Sequence, residues 1–221
     1  MNNVDIIVLC AVKNEFDSVR LILTEKIQDK YDIDNLKCIK GTIQGYNCIV
    51  ALTGPYMENC ETGLLKILSR YNTRIVLLFG AAGAINPKLA IGTITIPSSV
   101  IRYESSDFLK GIYKEISLSF ISEHLGKFPN ILITRAGTSP YFVSSKKLRR
   151  EIFSKLQIDT TDCETYYVAR ICKEQNIPFL AIRCITDNAG TWAEYLYFFR
   201  ARKVLKTGAQ VIYRLIQSKS L

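Results

Sequence analysis

The chain has 221 residues, 48% of them hydrophobic, with 29 Lys and Arg against 20 Asp and Glu for a net charge of +9. This length suits one large α/β domain or two small ones, the apolar content is ample for a sizeable core, and no linker-like or low-complexity run divides the chain, so one domain over residues 1–221 is expected. The charge admits an anionic partner, but the basic residues are scattered and do not interleave with aromatic ones, so no nucleic acid partner is expected.

The N-terminus, "MNNVDIIVLCAV", lacks the basic opening of a signal peptide, and its apolar run is strand length, too short for a membrane span. A cytoplasmic protein without a membrane partner is expected. "VDIIVLCAV" (4–12) reads as a buried strand, and "EFDSVRLILTEKI" (15–27) as a helix by the spacing of its apolar residues. "KCIKGTIQG" (37–45) and "YNCIVALTG" (46–54) form a predicted β-hairpin turning at Gly45-Tyr46-Asn47. "ENCETGLLKILSRY" (58–71) is an amphipathic helix, and "RIVLLFGAAGA" (74–84) a second buried strand ending in small residues. "GTITIPSSVIRY" (92–103) alternates as a strand, "NILITRAGTS" (130–139) is another, and "KKLRR" (146–150) opens a helical stretch as a solvated face.

"DTTDCETYYVARICKEQ" (159–175) reads as helical and leads into the strand "IPFLAIRCIT" (177–186). "AEYLYFFRARKVLKTGAQVIYRLIQ" (193–217) is a long amphipathic helix. Strands alternating with helices predict a largely parallel central sheet, mixed because of the hairpin, with a pocket along the carboxyl ends of the buried strands. Seven cysteines, most of them in apolar runs and none in a C-x-x-C pair, read as small buried hydrophobes, and the single His124 has no ligand partners at metal spacing. No metal site is expected.

Three acids stand at strand–helix junctions. Glu15 follows the first strand, where an acidic first-turn residue behind an Asn14 cap would serve the helix dipole. Glu164 completes Thr161-x-x-Glu164, a capping-box pattern, yet shares a helix face with Val168, Ile171 and Cys172. Asp187 ends the last buried strand in "RCITDNAG", where Asp and Asn also make turns by bonding their own backbone. Gly80 and its neighbours in "LFGAAGA" would let a ligand approach the backbone, but they form no dinucleotide fingerprint and there is no P-loop lysine. A pocket with several carboxylates and no metal suits acid/base cleavage of a glycosidic bond.

The ordered set "AVKNEF", "ALTGPYMENCETGLL", "LLFGAAGAINPKLAIGTITIP", "RAGTSPYFVS" and "TDCETYYVARICKEQNIPFLAIRCITDNAG" resembles the nucleoside phosphorylase/nucleosidase superfamily. It is most similar to the methylthioadenosine/S-adenosylhomocysteine nucleosidase branch. The resemblance implies a three-layer α/β/α sandwich around a mixed sheet, no cofactor, and a homodimer. It makes Asp187 the acid that protonates the purine at N7, Glu15 the base that activates water, and Glu164 the holder of the ribose hydroxyls. Arg183 falls near the water and the ribose, Phe142 and Val143 at the base, and Cys163 under the ribose in place of a Met. Gly80, Ala81 and Pro55 join the substrate-binding set.

The chain departs from that family at Ala81, where a small polar residue is usual, at "GTSPYF", and in the short "SSDFLKGIY" after "IRYE". The related phosphorylases hold phosphate with an arginine at the position of Leu78 and a basic turn after strand one. Here that turn carries Glu15, with Lys13 the nearby cation, which favours water over phosphate. The expected function is hydrolysis of a 5′-modified purine nucleoside. A futalosine or aminofutalosine hydrolase is the alternative. A phosphate-dependent phosphorylase and a non-catalytic nucleoside-binding relative come after it.

Overall fold

The computed structural model describes residues 2–104, 114–118 and 131–218. In chain order these form β1 (Asn2–Cys10), α1 (Lys13–Arg20), β2 (Glu25–Ile33), β3 (Leu36–Ile43), β4 (Tyr46–Leu52), α2 (Met57–Leu68) and β5 (Tyr71–Ala84). They continue as β6 (Ile94–Arg102), β7 (Lys114–Ser117), β8 (Ile131–Thr138), α3 (Lys146–Leu156), β9 (Thr160–Asp162), α4 (Thr165–Glu174), β10 (Phe179–Asp187) and α5 (Ala193–Gln217). The "SSDFLKGIY" segment and His124 lie outside the described residues.

The fold is α/β with a mixed sheet. Its centre is parallel: β1 lies between β4 and β5, and β5 pairs on its other edge with β10. The long β5 leaves β1 after Leu78, and its last residues, Gly83 and Ala84, pair with β9. From β9 the pairing runs through β8 and β6 back to β10, so these five strands close on themselves.

Alternation along the central strands sends side chains to two cores. Ile7 and Leu9 of β1, Val76 and Leu78 of β5, and Phe179 and Ala181 of β10 pack with Leu64 and Ile67 of α2 and Val168 and Ile171 of α4. Their neighbours Ile6, Val8, Leu77, Phe79, Leu180 and Ile182 pack with Phe16 and Val19 of α1 and with Leu205, Ala209 and Ile212 of α5. Helices therefore cover both sides of the parallel centre.

Several sequence expectations are corrected. The helix expected over 15–27 ends at Arg20, and the chain from Glu25 joins β3 as an edge strand. Cross-strand pairing there overrides the apolar spacing. The hairpin turns on Gln44-Gly45, with φ of 52° and 81°, and Ile43 faces Tyr46. Two left-handed residues make the two-residue turn whose twist suits a hairpin. Residues 160–162 are strand β9, and the helix expected over 159–175 starts at Thr165. The strand around 94–102 does not alternate in burial: its first four residues are all buried, and β10, β8 and β7 pair along its edges. The sheet is largely parallel only at its centre, since β2, β3, β7 and β9 bring antiparallel pairings.

Candidate active site

A cavity of about 400 Å³ opens at the carboxyl ends of the central strands, with walls from Ala11 and Val12 after β1, Ala81–Gly83 of β5, and Thr186 and Asp187 of β10. The β9–α4 turn adds Thr161, Asp162, Cys163 and Glu164, and α5 adds Glu194 and Tyr197.

Glu15 is held from both sides. The Ala11 and Val12 N–H groups donate to its Oε2 at 2.8 and 3.0 Å, and the Ala81 N–H donates to Oε1 at 2.8 Å. Val12, not Asn14, is the N-cap of α1, so Glu15 sits in the first turn and reaches back to the strand end. Only 4% of it is exposed, and burial pushes its pKa up to about 7 against the pull of Arg183. A carboxylate poised there accepts a proton readily at neutral pH.

Arg183 is fully buried in β10 behind the cavity wall. Its Nε donates to Asp162 Oδ2 at 2.9 Å and its Nη2 to Glu164 Oε2 at 2.8 Å. Burial opposes the guanidinium charge, but the two carboxylates outweigh it and raise the Arg183 pKa. Burial likewise works against the Asp162 charge. Arg183, with the Thr165 hydroxyl and N–H, outweighs that and holds the carboxyl below its usual range. Asp162 Oδ1 also accepts from the Thr138 hydroxyl and from the Glu164 and Thr165 N–H groups. Asp162 thus does the work expected of a capping box from Thr161, and Glu164 itself is the N-cap of α4. Glu164 Oε1 accepts from the Tyr56 N–H at 3.2 Å. Burial raises the Glu164 pKa although Arg183 opposes it.

Asp187 serves the turn and the cavity together. Its Oδ1 accepts from the Ala189 N–H at 2.8 Å, its Oδ2 from the Thr186 hydroxyl at 3.0 Å, and 1% of the residue is exposed. Burial raises its pKa in spite of both bonds. Ala189 has φ 47°, so the bond steadies a left-handed residue.

The remaining sequence candidates divide between the lining and the support behind it. Pro55, Ala81, Phe142 and Cys163 line the cavity, while Val143 is buried in a small adjoining cavity shared with Phe142 and Asp187. Gly80 and Arg183 stand behind the wall. A Cβ on Gly80 would lie 2.5 Å from Glu15 Oε1 and 2.7 Å from Arg183 Nη1, and both groups are buried and anchored. Gly80→Ala is therefore expected to destabilise the fold by about 1–3 kcal/mol, the usual range for overpacking. Chemical denaturation beside the parent chain checks this, and an unchanged midpoint would contradict it. Leu78 is fully buried in a core, and Lys13 is exposed, pairs with Asp17 and does not line the cavity. Among the described residues, no Lys, Arg or His lines it.

Sequence reasoning missed Tyr56, Glu194 and Tyr197. Tyr56 follows Pro55 with φ 71°, and its N–H reaches Glu164 across the cavity. Tyr197 is half-buried, and its pKa is pushed up to about 12 by burial and by Glu15, Glu164 and Asp187. The run "YLYFF" holds more aromatic residues than one buried helix face can take, and that was its signal. The arrangement can protonate a leaving group from Asp187, activate water at Glu15, and bind hydroxyls at Glu164.

A family model described as "Phosphorylase superfamily" matches residues 5–217. The 5′-methylthioadenosine/S-adenosylhomocysteine nucleosidase of Mycobacterium tuberculosis is 23% identical over 247 residues, covering 95% of each chain. The protein of the same name from Staphylococcus carnosus is 22% identical, covering 90% of this chain and 94% of its own. The crystal structure of a Helicobacter pylori MTAN mutant with 5′-methylthioadenosine in the active site superposes with TM-score 0.86 at 18% identity, covering 97% of this chain and 99% of that one. Futalosine hydrolase of Helicobacter pylori superposes with TM-score 0.84 at 18% identity, covering 98% of each.

Proposed function

The chain belongs to the phosphorylase superfamily, and from that premise we propose that it hydrolyses the N-glycosidic bond of a 5′-modified purine nucleoside of the 5′-methylthioadenosine/S-adenosylhomocysteine type. The observation that carries this reading is the convergence of Glu15, Glu164 and Asp187 on one cavity whose described lining has no cation. Asp187 gives a proton to the purine as the bond from C1′ breaks. Water adds to C1′ and yields its proton to Glu15, so the products are free base and a reducing sugar. Glu164 holds the ribose hydroxyls, braced by Arg183. Phe142 and Val143 take the base, Cys163 lies under the ribose, Ala81 and Pro55 let the nucleoside approach closely, and Gly80 behind them leaves room for Glu15 and Arg183.

Cleavage is expected to proceed without phosphate, because the lining offers carboxylates where phosphate would need donors and positive charge. Incubation of a nucleoside panel with and without phosphate, followed by identification of base and sugar, tests this. A sugar 1-phosphate as the main product would overturn the hydrolase reading. The same panel separates the second reading, a futalosine or aminofutalosine hydrolase. That reading has support from the fold likeness to the Helicobacter pylori futalosine hydrolase and from the departures at "GTSPYF" and "SSDFLKGIY".

The wider reading is a cofactor-free, cytoplasmic enzyme with one domain over 1–221 and a three-layer sandwich fold. One continuous sheet and the two helix-covered cores support it. Among the described residues, no helix is long and apolar enough to cross a membrane. The chain is expected to be a homodimer, as the family resemblance implies. A monomer by light scattering at full activity would contradict that.

A further inference from the structure

Four buried acids line the cavity, and each already has partners. Glu15 accepts from three N–H groups, Asp162 and Glu164 accept from Arg183, and Asp187 holds the Ala189 N–H. A fifth acid, Glu194, lines the same cavity from the first turn of α5. It is exposed, and its carboxylate has no hydrogen bond or ion pair among the described residues. An acid in a first helical turn complements the helix dipole, which accounts for its charge but not for its place in the cavity lining.

Glu194 stands where the cavity opens. Tyr197 lies three residues on, along the same face of α5. Burial raises the Tyr197 pKa, and Glu15, Glu164 and Asp187 add to it, in keeping with a hydroxyl near all three. Tyr56 and Phe142 also line the cavity, and both are exposed. The mouth therefore combines one unpartnered carboxylate with three aromatic residues. Among the described residues, no Lys, Arg or His joins them.

The next step rests on the hydrolase reading, which sets how the nucleoside lies. The base is at Phe142 and Val143, the ribose hydroxyls are on Glu164, and C1′ is beside Glu15. The 5′ carbon is then the remaining point of attachment, and its substituent has the mouth to extend into. We infer that Glu194 selects a nucleoside whose 5′ substituent ends in an ammonium group. A carboxylate holds an ammonium by charge-assisted hydrogen bonds, and aromatic faces attract the same charge. An anionic substituent would meet Glu194 as a like charge and find no cation in the described lining. A neutral substituent falls between the two.

The test uses 7-deazaadenosines carrying one of three 5′ thioethers of similar length: 2-aminoethyl, propyl or carboxymethyl. Carbon replaces N7 in these rings, so Asp187 has no atom to protonate there and the probes outlast a titration. Calorimetry on the full chain at low ionic strength is expected to rank them aminoethyl, propyl, carboxymethyl. Each step should be about threefold, the size of a partly exposed ion pair. Glu194→Gln should shrink the ratio of aminoethyl to propyl affinity by about threefold, whatever it does to binding common to both. Glu194→Lys should reverse the order and place carboxymethyl first. A residue serving only the helix dipole would shift all three compounds alike. Thermal melting confirms that the variants fold, and the parent's own ranking decides if either does not. An aminoethyl compound no tighter than the propyl one, an order unchanged in both variants, or no binding of any probe overturns the proposal. Cleavage of the matching adenosines is read separately. Ranked binding without cleavage would remove hydrolysis and keep the selection at the mouth, whereas cleavage without ranked binding would do the reverse.

Discussion

Glu15→Gln is expected to cut turnover by about 10²–10⁴ or more, the contribution of a positioned base, while the fold survives. The substitution removes proton-accepting power and little else. A Gln oxygen can keep the Ala11 and Val12 N–H bonds, and only the Ala81 N–H loses its acceptor. One orphaned donor costs about 1–3 kcal/mol, and relief of a carboxylate that burial disfavours offsets part of this. The pH dependence follows from the same burial. Glu15 must be ionised to take a proton from water, and its pKa lies at about 7. Protonation below that value removes the base, so kcat/KM should fall about tenfold per pH unit on the acid side, with a midpoint near neutrality. Initial rates from acidic to mildly alkaline pH on parent and variant check both claims. A flat profile, or a variant close to parental rate, would remove Glu15 from the chemistry.

The parts of the fold legible in sequence were those governed by local pattern. Continuous apolar runs marked β1, β5 and β10, and α5 was read with the bounds it has, because its amphipathic period is unbroken over 25 residues. What escaped depends on partners distant in the chain. Three-residue β9 is a strand only because Gly83, Ala84 and the end of β8 meet it. Edge strand β2 resembled the end of a helix until β3 was there to pair with it. The site divides the same way. Glu15, Glu164 and Asp187 stood out as acids at strand–helix junctions, and the family resemblance assigned their roles. Asp162 drew no role from the sequence, since its task of bracing Arg183 and the start of α4 needs Thr138, Thr165 and β10 brought together. Tyr197 and Glu194 were hidden because amphipathic spacing says which face of α5 is buried, not that its first turns wall a cavity.

Asp187→Asn is expected to lower turnover by about 10²–10⁴ with a melting temperature close to that of the parent. The turn survives because each bond has a substitute: the Asn carbonyl can accept from the Ala189 N–H, and its amide can donate to the Thr186 hydroxyl. A change within about ±0.5 kcal/mol is what a substitution that breaks no special feature costs. The chemistry has no substitute. Burial raises the Asp187 pKa, which helps the side chain keep the proton that a departing purine needs, and an amide cannot give one up. Substrate should still bind, because an amide can bond a ring nitrogen. The loss should also depend on the leaving group. A riboside whose leaving group departs as a stable anion, such as a nitrophenolate, needs no proton, so the variant should cleave it at nearly the parental rate. Rates of parent and variant on the purine nucleoside and on the nitrophenyl riboside decide the point. Equal losses on both substrates would make Asp187 a positioning residue, and no loss on either would return it to the turn alone.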